Sequence, residues 1–103
     1  MTWSYGADVS YEPPADLIQI ELAFLQTDAR CQALAAAHPS AGDILAGRAT
    51  LTAEQAADYE AAWAALGQLR ADLHSHPWWD TVDDRHQARQ ALIAAARASM
   101  NPT

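Results

Sequence analysis

His74-Ser75-His76-Pro77-Trp78-Trp79-Asp80 stands between two long alanine-rich segments and gathers histidine, proline and tryptophan into one short stretch. Proline at 77 pushes His76 out of helical geometry, so a helix arriving from upstream must end near His74 or Ser75. A new helix starts after Asp80 or Thr81. It is predicted over 82–99, with Asp83 and Asp84 in its first turn and Arg89 and Arg97 further along, the order the helix dipole favours. Trp78 and Trp79, joined by Trp63, are expected to pack the corner between the two helices.

Upstream of the corner, Thr52 and Gln55 have the spacing of a capping box, and Leu51 is placed as a staple, so a helix is predicted over 53–75. Tyr59, Ala62, Trp63, Leu66, Leu69 and Leu73 recur on one side of it, an amphipathic pattern that places Trp63 in the core. Ser40-Ala41-Gly42-Asp43 ahead of Ile44-Leu45 and Gly47 predicts a short helical turn over 41–46, with Ile44 and Leu45 plugging the end of the fold. The first helix is predicted over 14–38, opened by Pro14 and stopped by Pro39. Its large side chains form two stripes roughly 160° apart on the helical wheel. Leu17, Ile20, Phe24, Cys31 and Leu34 make one. Ile18, Leu22, Leu25 and Ala29 make the other, and this spare face is either covered by the arm and connector or, the favoured reading, a self-association interface.

Residues 1–13 carry Trp3, Tyr5, Val9 and Tyr11 at alternate positions around Gly6-Ala7-Asp8, the pattern of an extended aromatic arm that closes over the helices. The expected fold is therefore all-α: a single domain over 1–103, built as a small three-helix bundle with a short helical turn in its first connector and an N-terminal aromatic arm. Composition agrees. Twenty-five alanines favour closely approaching helices, whereas two valines offer a sheet very little.

Charge narrows the function. There is no lysine, a bias that fits a high-GC, bacterial coding sequence, and the net charge of −7 repels phosphates. Direct phosphate contact with nucleic acid and adhesion to an anionic membrane are therefore disfavoured. The start Met-Thr-Trp-Ser-Tyr-Gly lacks the features of a signal peptide, and Cys31 has no second cysteine to pair with, so a cytoplasmic location is expected. Glycine at 42 and 47 without a following lysine makes no phosphate loop.

Two features of the corner invite chemistry. His74, His76, Asp80, Asp83 and His86 could offer metal ligands, but positions two apart on a helix point about 200° away from each other, and no zinc spacing is matched. No metal or other cofactor is therefore expected. Asp83 and His86 could pair as acid and base, a spacing that is ordinary on solvated helices; no catalytic residue is assigned and an enzyme is not expected. The second feature is Arg85 and Arg89 on the apolar stripe of the last helix, shared with Val82, Leu92, Ala96 and Met100. Either the arginine stems cover the edge of the core while their heads reach water, or the arginines need carboxylates, for which Glu21 and Asp28 on one flank of the first helix are the candidates for buried ion pairs. The sequence thus points to a small acidic interaction module that self-associates and meets a protein partner. A metal-binding protein using the His74–His86 junction is the alternative, and an acidic DNA mimic or nucleic-acid-related regulator the third reading.

Overall fold

The computed structural model describes residues 11–100. Those residues are all-α, with no strand among them: α1 (Ala15–Ala37), α2 (Ala41–Leu45), α3 (Ala53–His74), a 3₁₀ turn (Pro77–Thr81) and α4 (Arg85–Met100). No helix among them is long and apolar enough to cross a membrane. Trp3, Tyr5 and Val9 of the expected arm lie outside the described residues. The chain sorts into two compact units, Met1–Leu22 with Asp72–Thr103, and Ala23–Ala71. Residues of α1 and α3 belong to both.

In the unit made of the chain's two ends, Leu17, Leu73, Trp79, Ala88, Leu92 and Ala96 are buried, together with one charged residue, Glu21. Ala88, Leu92 and Ala96 recur every four residues, which places them on one face of α4. Alanine above and below Leu92 keeps that face thin. α4 begins three residues later than the spacing of its aspartates suggested. The Asp84 side chain accepts from the Gln87 backbone N–H at 3.1 Å, and the Asp84 carbonyl accepts from Ala88 N–H at 2.9 Å. Asp84 is thus the N-cap, Val82 is extended (φ −105°, ψ 143°), and the first helical residue is Arg85. Val82 consequently leaves the expected stripe, and Met100 at its far end is exposed.

In the central unit, Cys31, Ala62 and Leu66 form the core, with Phe24 and Leu34 packed against it. The covered side of α1 is therefore the one carrying Leu17, Cys31 and Leu34. On the other side Ile18, Leu22 and Leu25 are half-buried and Ala29 is exposed. α3 opens with both hydrogen bonds of its capping box, Gln55 N–H to Thr52 Oγ1 at 3.0 Å and Thr52 N–H to Gln55 Oε1 at 2.9 Å. Ser40 caps α2 by accepting from Asp43 N–H at 3.0 Å, and Gly47 closes it with φ +76°, a conformation that favours glycine.

Two expectations for this unit are corrected. Trp63 is 47% exposed. It lies roughly 60° and 100° around the helix from Leu66 and Ala62, so when those two face inward its indole is turned to the flank. There it packs edge-on against Tyr59, ring centroids 6.0 Å apart. Leu45 is 88% exposed and Ile44 39%, so neither plugs a core.

Candidate functional site

The corner is held by hydrogen bonds that begin with His76. Its backbone is extended (φ −66°, ψ 134°), as the following proline demands, and its Nδ1 accepts from Trp78 N–H at 3.0 Å, making it the N-cap of the 3₁₀ turn. Its Nε2 meets Asp16 Oδ2 at 3.0 Å. With Nδ1 accepting, Nε2 carries the proton and donates, so both ring nitrogens are occupied by protein partners. One turn on, Trp79 donates its indole N–H at 2.6 Å to the Leu73 carbonyl at the end of α3, which also accepts the longer bond from His76 N–H at 3.4 Å. Trp78 lies against Trp79 at 5.1 Å and takes the edge of Tyr11 at 6.3 Å. The Tyr11 hydroxyl accepts from Asp84 N–H at 3.1 Å, so this aromatic residue, the first of the described chain, is packed on the corner.

The His76 hydrogen bond holds the Asp16 carboxyl below its ordinary value of 3.8. A carboxyl with a lowered folded-state pKa adds stability that is fully present above the unfolded value and is lost as pH falls through the folded one. Asp16→Asn is therefore expected to melt at a lower temperature than the wild type near neutral pH, with the two curves converging as pH drops below 3.8. A difference that persists unchanged in acid would show that the charge is not what matters. Because Asp16 is well exposed, the effect is small.

Behind the corner, the Glu21 carboxylate accepts from Arg89 Nη1. Glu21 is wholly buried, its Oε2 has no hydrogen-bond partner among the described residues, and the Arg89 side chain is 34% exposed. The other expected members of this network are placed differently. Arg85 approaches Asp80 at 3.7 Å with both side chains largely in solvent, and Asp28 accepts from Gln32 Nε2 at 2.9 Å, one turn along its own helix. Asp28 faces its i+4 neighbour because that is the nearest donor on the helix surface.

His74, Trp79, Arg85 and Arg89 line a cavity of about 240 Å³. His74, Asp80, Asp83 and His86 are exposed, and among the described residues no three histidines, cysteines or carboxylates converge to hold a metal ion. The sequence profile of a family described as a domain of unknown function, DUF8825, matches residues 16–95. The chain belongs to this family. No curated protein and no solved structure matches it. The family match runs from Asp16 through α4, so it takes in Glu21, Arg89 and the whole corner.

Sequence reasoning passes over Asp16 and misplaces Trp63. Asp16 meets His76 across 60 positions of sequence, and no local pattern announces such a contact. Trp63 was assigned inward because it sits at the edge of a broad stripe, where burial depends on which neighbour turns fully inward.

Proposed function

We propose that the chain is a non-enzymatic helical interaction module that pairs with a second copy of itself through the outer surface of α3 in the central unit. The supporting observation is Trp63, a large apolar side chain left 47% exposed on a helix whose neighbouring outer positions are small. Ala57, Glu60, Ala61 and Ala64 line a shallow depression of about 320 Å³ on that helix. At Gly67, one turn beyond Trp63, an added Cβ would meet nothing within 4 Å, so packing inside the chain does not account for a residue that weakens a helix interior.

A half-exposed indole on the flank and a depression on the outer side of the same helix suit a two-fold partner, since in such an interface each copy offers the same surface. Repulsion opposes this less than the net charge suggests. Ala23–Ala71 carries five carboxylates against three arginines, and most of the excess acid lies elsewhere in the chain. The half-buried Ile18, Leu22 and Leu25 of α1 have less surface to offer than Trp63.

Sedimentation velocity at roughly 100 micromolar, where an association of about 5.5 kcal/mol is half populated, is expected to show a dimer. Trp63→Ala and Ala61→Arg should each give a monomer of unchanged helicity, both positions being exposed. A wild-type monomer at that concentration, or a dimer indifferent to both substitutions, would remove this surface from consideration.

A further inference from the structure

The cavity at the corner has features that the interaction surface does not use. Two arginines, a histidine and a tryptophan line it. Arg85 is the first residue of α4, where the dipole's positive end repels a cation, and among the described residues the carboxylate nearest to pairing with it, Asp80, is 3.7 Å away and 83% exposed. An ion pair of that kind contributes little in water. Among the described residues Arg89 is fixed by Glu21 through Nη1, which leaves other N–H donors on the planar fork of a residue that lines the cavity. Trp79 has spent its N–H on Leu73 and is 7% exposed, so it offers the cavity an apolar ring and no donor.

We infer that this cavity is a binding site for a small organic carboxylate with a flat apolar body, its carboxylate held by Arg85 and Arg89 and its body laid against Trp79. Guanidinium matches a carboxylate in shape and charge, and desolvation beside an indole strengthens the contact. An anion here also relieves the repulsion of Arg85 at the helix start. The size fits: about 240 Å³ lies between the ~150 Å³ that accepts benzene and the roughly 300–1,000 Å³ of sites for drug-sized ligands. Glu21 is a positioning residue, since it orients Arg89 and does not itself line the cavity.

The experiment titrates benzoate, benzamide and inorganic phosphate into the full chain while following the Trp79 indole N–H by two-dimensional NMR. Benzoate is expected to shift that signal saturably, and neutral benzamide to bind at least about tenfold more weakly, the value of losing a charge-assisted hydrogen bond. Arg85→Gln should weaken benzoate by a similar factor with an unchanged melting curve, because its side chain is exposed. Asp80→Asn, which removes the competing carboxylate, should tighten benzoate binding. No shift of the Trp79 signal with benzoate, equal binding of benzamide, binding of phosphate in place of benzoate, or weaker benzoate binding in Asp80→Asn would each overturn the assignment.

Discussion

Arg89→Leu is expected to destabilise the protein by about 3–5 kcal/mol, whereas Glu21→Leu changes stability by no more than about 1 kcal/mol. The asymmetry follows from where the two charges sit. Glu21 is completely buried, so removing its partner strands a carboxylate whose second oxygen already lacks a hydrogen bond. Arg89 is 34% exposed, so its long stem allows the guanidinium to swing into water when Glu21 is replaced. The double variant Glu21→Leu/Arg89→Leu should recover most of the loss, because a buried ion pair exchanged for apolar side chains of similar size is usually neutral or stabilising. Chemical denaturation of the three variants measures this directly. Equal losses from the two single substitutions would mean that the pair is not anchored at its buried end. If the double variant is as stable as the wild type, the pair's value lies in orienting Arg89 at the cavity and not in holding the fold.

Trp79→Ala is the second large effect, a loss of about 3–5 kcal/mol. The indole is buried to 7% exposure, and its N–H is the partner of the Leu73 carbonyl at the end of α3. Trp79→Phe separates the two contributions. It keeps most of the ring but removes the indole donor, leaving the Leu73 carbonyl with only the long 3.4 Å bond from His76 N–H, a loss of about 0.5–1.5 kcal/mol. Comparing both variants by denaturant titration, with the far-ultraviolet signal as readout, tests the division. A Phe variant as unstable as the Ala variant would show that the hydrogen bond, and not the buried ring, secures the corner.

The helices were legible where the chemistry is local. Pro77 ends α3, Thr52 with Gln55 opens it, Ser40 opens α2, and each works through groups a few residues apart. The start of α4 was less so, because aspartate suits both the cap and the first turn, and only the backbone decides that Asp84 is the cap. Burial was harder still. Periodicity marks a stripe that is wider than the strip reaching the core, so Trp63 reads as inward although Ala62 and Leu66 take the place, and for Leu45 a cap and a glycine mark the short turn without saying which way its side chains face. Within the candidate site, an arginine on the core-facing stripe of α4 signals the need for a carboxylate, and few acids on α1 share its covered side. The Asp16–His76 contact and the cavity beside Trp79 arise from pairings distant in sequence, which no spacing rule reaches.

Cys31 is the chain's one thiol, and at 3% exposure it is enclosed with Ala62 and Leu66. A thiol reagent attacks it only when that core opens, so the rate of alkylation is a clock for the opening of Ala23–Ala71. Trp79, whose indole hydrogen exchanges only when its own surroundings loosen, keeps time for the terminal unit. The protein thus carries two built-in reporters, one in each unit, and comparing their rates distinguishes a chain that breathes in two independent parts from one that opens all at once.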